Sequence, residues 1–439
     1  MVVTNDVGKK TAAAVWGRIH PMRIMYIHQF FRLPEQGGGI RSYELARRWV
    51  DEGHEVTVIT SDMWGDKTEP WRSTVSGVDV IWLPVSYHQT MSLTARLRSF
   101  FGFMYQTAVA ARTVPRCDIV LATSTPLTVA IPGAYAARRH KAKFAFEVRD
   151  LWPEVPIALG SLSFAPMRWA ARALERFAYW RADHIVALSP GMAAGVAAEG
   201  VDPADISVIP NSSDLEVFTV DASVPRAFIA ERPHLGSGPL LIYTGTFGEV
   251  NNAAWLVDVM AELVRHSPDA QLLLVGFGSQ EDQIRARAKD LGLLDSRIHI
   301  EGYVPKREIA AALAAADVTF STVADIAELE HNSANKVFDA FAAGTTMAIN
   351  HGGWLADLLT ETGAGLVLSR DPSTAAAQLH EHLADPAALT LSAKAAAELG
   401  RHFDRDWHAS NYLEIMNELA QRGRAAGRDL VEHGPAGSP

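Results

Sequence analysis

Short apolar segments alternate with helical segments along almost the whole chain, and this alternation constrains the fold more than any other feature. The strands predicted in the first half are Arg23–His28, Val56–Thr60, Val78–Leu83, Asp118–Ala122, Lys143–Glu147 and His184–Leu188. Those predicted in the second half are Leu240–Thr244, Gln271–Val275, Ile298–Glu301, Asp317–Ser321, Thr346–Asn350 and Gly365–Leu368. Strands of this kind separated by helices indicate parallel sheets built from right-handed βαβ units.

The alternation is interrupted once, by a stretch after Val208–Asp214 that we predict to be irregular because it contains Pro225 and Pro233. Single cores rarely grow past ~250–300 residues, so a chain of 439 residues should hold two domains. We predict α/β, doubly wound domains at 22–213 and 214–403 that face each other across a cleft. A helix at 404–422 should pack back on the first domain, and 1–21 and 423–439 should be disordered. Ligands of such folds bind outside the carboxyl ends of the strands.

Composition excludes several classes of protein. A net charge of −10 argues against a general nucleic-acid binder. The single cysteine, Cys117, excludes a disulfide framework within the chain and indicates a reducing compartment such as the cytoplasm. We expect Cys117 to be buried and inert. No segment approaches the ~20 apolar residues of a transmembrane helix, and 1–21 lack the pattern of a signal peptide.

The segment His331–Gly344 follows a predicted strand and an acidic loop. Ser333 and Asn335 open its predicted helix, Lys336 falls in the first turn, and Asp339 follows one turn later. Backbone N–H groups and a cation at the start of a helix favour a phosphate. A carboxylate one turn later can bind the hydroxyl pair of a ribose. The segment therefore suggests a nucleotide site.

Three other loops between a strand and a helix are rich in glycine, namely His28–Arg41, Tyr243–Asn252 and Val275–Ser279. Glycine lets the backbone approach a ligand, and the helix that follows favours an anion. The alternatives are a flexible surface loop for the first, a capped turn with Asn251 or Asn252 as N-cap for the second, and an ordinary strand-to-helix turn for the third. The candidate ligand contacts in these loops are Gly38, Gly39, Gly245, Thr246, Asn251, Gly276 and Gly278.

Arg149 and Asp150 follow the predicted strand Lys143–Glu147, at the edge of the sheet where such folds keep their chemistry. We interpret them as contacts to a sugar or an acceptor, with a structural ion pair as the alternative. Two segments, Ser92–Tyr105 and Pro166–Arg181, combine arginine with aromatic residues. That combination suits an anionic membrane surface, although it equally describes amphipathic helices packed on the sheet.

In their order and spacing these segments resemble the retaining glycosyltransferases of family 4, which have the GT-B architecture of two Rossmann-like domains. The resemblance covers 22–421. It includes Gly37–Gly39, Ala182–Ser189, Val208–Asn211, Tyr243–Gly245, Val275–Gly278 and Asp339–Gly344. Glu147–Pro153 and Ser333–Lys336 are most similar to the branch that makes bacterial surface polysaccharide, including transferases of fucose-type and N-acetylfucosamine-type sugars.

The resemblance implies that a nucleotide-sugar binds the second domain and a hydroxyl acceptor, either a glycan, a lipid-linked glycan or a small molecule, binds the first. Transfer is then metal-independent and needs no cofactor, and the leaving diphosphate accepts the proton of the acceptor. Arg149, Asp150 and Lys336 become the candidate catalytic residues. Asp339 matches the second acidic residue of the family's Glu-x7-Glu motif, which holds the ribose.

The chain departs from the family pattern in two places. His331 occupies the first acidic position, so Glu328 or Glu330 is expected to substitute, or Asn335 and Lys336 to hold the sugar and phosphates. Gly245–Thr246 and Asn251–Asn252 stand where the family often has Gly-Arg and a lysine, which leaves Lys336 as the best cation for the diphosphate. The alternatives on the same architecture are a nucleotide-sugar 2-epimerase or a phosphorylase, and outside enzymes a non-catalytic sugar-binding protein.

Overall fold

The computed structural model describes residues 21–36, 38–88, 91–160, 162 and 164–432, with the side chains of 424–432 left out. Residues 1–20 and 433–439, which hold most of the two segments predicted to be disordered, lie outside this range, as does Gly37. The helix that begins at Arg405 continues to Glu432, past the boundary predicted at 422.

The first domain is built on an eight-stranded sheet in which seven strands run parallel. Its strands are β1 (Arg23–Ile27), β2 (Glu55–Ser61), β3 (Trp71–Val75), β4 (Val78–Leu83), β5 (Ile119–Thr123), β6 (Lys143–Val148), β7 (His184–Ala187) and β8 (Ile206–Val208). They lie side by side in the order β3-β4-β2-β1-β5-β6-β7-β8. Along the chain, strands are added first on one side of β1 and then, from β5 onward, on its other side. Doubly wound folds bind ligands in the crevice that forms where the order changes sides.

Helices cover both faces of this sheet. They are α1 (Arg41–Asp51), α2 (Leu93–Ala110), α3 (Ala130–His140), α4 (Glu154–Ala158), α5 (Ala165–Arg181) and α6 (Pro190–Ala198). One face packs on α2, α3 and α5 through buried residues such as Phe103, Ala134 and Tyr179. The opposite face packs on α1 through Trp49. Both Ser92–Tyr105 and Pro166–Arg181 therefore contribute helices packed on the sheet.

The second domain holds a six-stranded, fully parallel sheet in the order β11-β10-β9-β12-β13-β14. Its strands are β9 (Leu240–Thr244), β10 (Gln271–Val275), β11 (Ile298–Glu301), β12 (Val318–Ser321), β13 (Thr346–Ile349) and β14 (Gly365–Val367). Its helices are α7 (Leu215–Phe218), α8 (Ser223–Ala230), α9 (Ala254–Leu263), α10 (Glu281–Asp290), α11 (Lys306–Ala315), α12 (Asn335–Ala343), α13 (Trp354–Thr362), α14 (Pro372–Leu383) and α15 (Pro386–His402). The α/β class with two Rossmann-like domains is confirmed.

The predicted organisation misses two elements. The segment 62–76, for which no strand is predicted, contains β3, which pairs antiparallel with β4 and stacks Trp71 on Trp82 with ring centres 5.3 Å apart. The stretch predicted to be irregular contains α8, with Pro225 in its first turn. Proline is tolerated there because that N–H has no partner within the helix.

The last helix, α16 (Arg405–Glu432), returns to the first domain. Its residues Tyr412, Leu413 and Met416 are buried in the same cluster as Trp49, whose indole N–H donates to the carbonyl of Ala409 at 3.1 Å. Burying each such side chain contributes about 1.5–3 kcal/mol, so α16 ties the end of the chain to the first domain. Within the described residues, we find no helix that has both the length and the apolar character to cross a bilayer.

Candidate active site

The start of α12 carries an isolated cation. The Nζ of Lys336 is buried and makes no hydrogen bond to any residue that the structure describes, and it lies 4.0 Å from the centre of the Tyr243 ring. Burial lowers the pKa of this lysine to about 7, because a desolvated ammonium is unfavourable without a partner. A buried donor left unsatisfied costs about 1–3 kcal/mol. The unsatisfied ammonium lies at the carboxyl end of the sheet, where an anionic ligand would pair with it and remove this energetic cost.

The glycine after β9 makes room for that ammonium. Gly245 has φ +140°, and a Cβ at this position would stand 2.8 Å from the Nζ of Lys336. Gly276, after β10, has φ +150°, and its Cβ would meet the carbonyl oxygen of Gly245 at 1.9 Å. A Cβ on Gly278 would meet the carbonyl oxygen of Phe247 at 2.4 Å. Packing between the two loops thus requires Gly276 and Gly278, whereas Gly245 clears the space at Lys336.

The loop between Gly245 and α9 is held by contacts within itself. The side-chain amide of Asn251 donates to the carbonyl of Thr246 at 3.0 Å, and the hydroxyl of Tyr243 donates to the same carbonyl at 3.0 Å. The N-cap of α9 is Ala253, without a side-chain hydrogen bond. Asn251 and Asn252 are therefore not N-caps as predicted, because Asn251 closes the loop instead and Asn252 adopts φ +46°.

Asp339 lies one turn into α12, as the sequence predicts, and meets the segment that joins the domains. Its Oδ1 accepts a 2.6 Å hydrogen bond from the hydroxyl of Ser213. Burial raises the pKa of Asp339, while the nearby Lys306 and Arg405 cations and the Ser213 bond oppose that rise. The bond to Ser213 orients the carboxylate and uses one oxygen, which leaves Oδ2 to accept from a ligand hydroxyl.

His331 and Ser333 touch the first domain. The hydroxyl of Ser189 donates to the carbonyl of His331 at 2.6 Å, and Gly191 has no room for a Cβ, which would lie 2.1 Å from the imidazole Nδ1. The backbone N–H of Asn211 donates to the hydroxyl of Ser333 at 3.1 Å. Ser333 therefore does not open α12 as predicted, since its hydroxyl joins the two domains and the N-cap is Ala334.

Glu330, which precedes His331 in the chain, has its own ion-pair partner. Glu330 lies on the 3₁₀ turn Ala327–His331, and its Oε1 is 3.4 Å from Nη2 of Arg370. A Cβ on Gly352 would stand 3.0 Å from the other carboxylate oxygen. Glu330 is thus held at Arg370 and the loop after β13.

Residues from both domains converge at Gly39. A Cβ built there would lie 3.6 Å from Nδ2 of Asn335 and 3.7 Å from Nη2 of Arg149. Nη1 of Arg149 is 3.5 Å from Nε2 of the buried His28. The preceding Gly38 has φ +83°, in the region that favours glycine. The structure therefore brings Gly39, Arg149 and Asn335 together across the cleft, as expected for one site.

Among the salt bridges of the described residues there is none between Arg149 and Asp150. The alternative of a structural ion pair between them is therefore not observed. Asp150 is exposed at the end of β6. The ion pair of this region is instead Arg41–Glu147, in which Nε lies 3.0 Å from Oε1 and both side chains are at most 2% exposed. Arg41 also donates to the carbonyl of Pro210 at 2.7 Å. Sequence reasoning misses this pair, although Arg41 follows the three glycines and Glu147 precedes Arg149 by two residues.

Asp214 joins the two domains and the last helix. Its Oδ1 lies 3.0 Å from Nη2 of Arg48 on α1 and 2.9 Å from Nε of Arg405 on α16. Its Oδ2 accepts from Nζ of Lys306 on α11 at 2.5 Å. These cations outweigh the effect of burial and lower the pKa of Asp214 to about 2. No pattern of neighbouring residues indicates this cluster, because its members are widely separated along the chain.

Two protein families match the chain, one for each domain. The family described as "Glycosyl transferase 4-like domain" matches residues 36–212, and the one described as "Glycosyl transferases group 1" matches residues 238–385. The chain therefore carries one glycosyl transferase domain of each family. Together they hold the cleft residues described above on either side.

A relative of this chain is the 2-deoxystreptamine glucosyltransferase of Streptomyces kanamyceticus, 28% identical over 257 residues. The match covers 56% of this chain and 64% of that protein, so it spans less than two thirds of the relative. The specific branch of fucosyl and N-acetylfucosaminyl transferases is not confirmed by these names.

Solved structures share the whole architecture. Sucrose-phosphate synthase from Thermosynechococcus elongatus superposes with a TM-score of 0.74 at 18% identity, covering 91% of this chain and 99% of that one. The Anabaena protein HepE, solved with UDP and glucose, superposes with a TM-score of 0.68 at 15% identity, covering 90% and 100%. At such identities the similarity establishes the GT-B fold.

Proposed function

We propose that the protein is a retaining glycosyltransferase that moves a sugar from a nucleotide-sugar to a hydroxyl acceptor without a metal ion. One observation carries the proposal, the buried and unpartnered ammonium of Lys336 beside Gly245. A diphosphate placed there would pair with that charge and with the N-terminus of α12. Electrostatic stabilisation of the charge that develops on the leaving diphosphate is usually the largest catalytic contribution of the protein in such a reaction.

The remaining donor contacts follow from the position of Lys336. Asp339, one turn further along α12, would accept hydrogen bonds from the ribose hydroxyls through the oxygen that Ser213 does not use. Backbone groups of Gly245 and Thr246 would approach the phosphates. Asn335, close to Gly39, would reach the sugar. This arrangement supports a role for α12 in place of the carboxylate that the family has at His331.

On the first domain, Arg149 and Asp150 would bind the acceptor side of the cleft. Arg149 is close to both Gly39 and Asn335, so its guanidinium can contact the sugar or phosphate as the acceptor hydroxyl attacks. In a retaining transfer the new glycosidic bond forms on the face from which the diphosphate leaves. The hydroxyl proton then passes to the departing phosphate oxygen, and Lys336 compensates the charge that develops there.

For the donor, we propose UDP linked to a fucose-type or N-acetylfucosamine-type sugar. The HepE structure contains UDP and glucose, which supports the uridine nucleotide, while the sugar rests on the resemblance of Glu147–Pro153 and Ser333–Lys336. For the acceptor, we propose a lipid-linked glycan at the inner face of the membrane. The glucosyltransferase relative, named for 2-deoxystreptamine, favours a small molecule as the second candidate.

The test has two stages. A thermal-shift screen against nucleoside diphosphates and their sugars should identify the donor, because a ligand at ~100 Kd stabilises by about 2.7 kcal/mol. The identified donor is then incubated with lipid-linked and small hydroxyl acceptors, and NMR of the product reports its anomeric configuration. An inverted product contradicts the retaining mechanism. Consumption of the nucleotide-sugar without any acceptor identifies an epimerase instead, and stabilisation without turnover a binding protein.

A further inference from the structure

The solvent side of α2 is a stripe of apolar residues with an arginine at either end. Phe101 and Tyr105 are 54% and 69% exposed, and Val109 follows one turn later, also exposed. Arg98 precedes them on α2, and Arg112 follows in the 3₁₀ turn Ala111–Thr113 that continues α2. Their spacing of three and four residues places side chains on one side of a helix. A soluble helix packed on a sheet normally turns polar residues to water, so this stripe is unusual.

Helix α5, which is separated from α2 by α3, carries a similar combination of residues. On α5, Trp169 and Trp180 are 74% and 79% exposed, and their spacing of eleven residues returns to the same side of the helix. Arg172 and Arg176 lie exposed between them, and each is paired with a carboxylate, Glu154 at 3.0 Å and Glu199 at 2.9 Å. Because α2, α3 and α5 all pack on one face of the first sheet, the aromatic residues belong to one side of the domain, opposite the side that packs on α1 and α16.

The stripe on α2 ends at a basic cavity. Its volume is about 340 Å³, and it is lined by Arg112, Val114, Arg116, Arg139, His140 and Lys141. Arg112 donates to the hydroxyl of Tyr135 at 2.8 Å, and Arg116 donates to the carbonyl of His140 at 3.2 Å. Both partners are uncharged, and no carboxylate is found among the described residues that line the cavity. Four cations thus face one space in a chain whose net charge is −10.

The cavity is distant from the nucleotide site. Its residues precede β5, or lie in the last turn of α3 and directly after it, before β6. They therefore lie at the amino edge of the parallel sheet, whereas the cleft lies at the carboxyl edge. The helix α2 connects the two edges and is roughly 27 Å long at ~1.5 Å per residue. The four cations therefore serve neither Lys336 nor the donor.

We propose that this face is a docking surface for an anionic lipid bilayer, with the basic cavity binding a lipid phosphate headgroup. Aromatic side chains enter the interfacial region of a bilayer and arginines pair with its phosphates. Charge complementarity identifies the occupant, because a protein partner for the aromatic stripe would not require four cations at its end. With α2 lying on the membrane, the cleft edge of the first domain also lies near the lipid. The role of this docking surface rests on the proposed function, because a lipid-linked acceptor could then enter the cleft directly from the membrane.

The test measures membrane binding and not sugar transfer. The full chain is sedimented with phosphatidylcholine vesicles and with vesicles that contain about 30 mol% phosphatidylglycerol, at low and high salt. We expect binding to the anionic vesicles that weakens with salt. Equal binding to both vesicles, or to neither, overturns the proposal. Calorimetric titration with inorganic phosphate distinguishes a lipid headgroup from a free phosphate ion. Saturable phosphate binding without recruitment to vesicles would identify a site for a free anion and overturn the docking surface.

Matched variants locate the surface. Arg139→Glu should reduce partitioning onto anionic vesicles roughly fivefold or more, which corresponds to about 1 kcal/mol for one basic residue. Lys289→Glu, also in the last turn of an exposed helix, is its control. Phe101→Ser should weaken binding likewise, with the exposed Leu391→Ser as control. If the controls reduce binding as much as the two variants, the proposed face is not the site. Transfer to a soluble acceptor should be normal in all four, so a failure here is distinct from a failure of the proposed function.

Discussion

The ammonium of Lys336 stands 4.0 Å from the ring centre of Tyr243 and has no hydrogen-bond partner. A cation over an aromatic face gains about 0.5–2 kcal/mol, which offsets part of the cost of burial. The position of Lys336 is therefore unfavourable for the unliganded protein and favourable for binding a diphosphate. Lys336 should therefore lower the stability of the free protein while it strengthens the binding of a diphosphate.

Replacing Lys336 with methionine should raise the melting temperature and lower turnover together. The thioether has no charge to desolvate, whereas the loss of a charge-assisted contact to the leaving group costs about 3 kcal/mol, roughly a hundredfold or more in kcat. Differential scanning fluorimetry and kinetics at saturating donor measure the two effects. A purely structural lysine would lower the melting temperature on removal. Normal turnover in Lys336→Met or Lys336→Ala would exclude the diphosphate role.

Binding of the nucleoside diphosphate should be coupled to proton uptake. Burial lowers the pKa of Lys336 to about 7, and a bound diphosphate should raise it by favouring the ammonium. Above pH 7 most free protein molecules have Lys336 as the neutral amine, so binding takes up the proton that restores the ammonium, and affinity falls as pH rises. Calorimetry at pH 8 in buffers of different ionisation enthalpy measures that uptake. It should vanish in Lys336→Met, and an unchanged uptake there would assign the proton to another group.

Gly245→Ala should weaken binding of the diphosphate by about tenfold or more. The new Cβ would lie 2.8 Å from Nζ of Lys336, and φ is +140° at this residue, so the side chain of Lys336 must move. Gly248→Ala is the matched control in the same loop, because its Cβ would meet only Cγ2 of Thr246, at 3.8 Å. Titration with the nucleoside diphosphate compares the two variants. Equal losses would show that loop stiffness, not the space at Lys336, controls binding.

The sequence predicts what is local and periodic. The predicted strands and the positions of Lys336 and Asp339 on α12 agree with the structure, because apolar periodicity and glycine placement are encoded in neighbouring residues. The strand β3 escapes prediction because Trp71–Val75 contains mostly polar residues, and α8 because Pro225 suggests a break. The isolation of Lys336 is not predictable in this way, since it depends on Tyr243 and Gly245, which are distant in the chain. The buried pair Arg41–Glu147 escapes prediction for the same reason.

Asp339→Asn should raise the KM for the nucleotide-sugar roughly tenfold or more, since a hydrogen bond to a charged group contributes about 1.5–3 kcal/mol. The loss should be confined to donors with an intact ribose. We expect the deoxyribose analogue of the best donor to bind the wild type and Asp339→Asn equally. Ser213→Ala, which removes only the 2.6 Å bond that orients the carboxylate, should have a smaller effect. If the analogue discriminates between wild type and Asp339→Asn, the carboxylate does not hold the ribose.

Asp214→Asn should destabilise the protein at neutral pH, and the difference in stability from wild type should narrow in acid. Arg48, Lys306 and Arg405 lower the pKa of Asp214 to about 2, below the ~3.9 of an unfolded chain. The carboxylate therefore contributes stability that is fully present above about pH 4 and is lost as pH falls through about 2. The shift corresponds to about 2.5 kcal/mol, and removing one member of a buried cluster costs about 3–5 kcal/mol. Denaturant unfolding at pH 7 and pH 3 should show the gap between wild type and variant narrowing. A gap that stays constant would mean that packing, rather than the charge of Asp214, joins the two domains and α16.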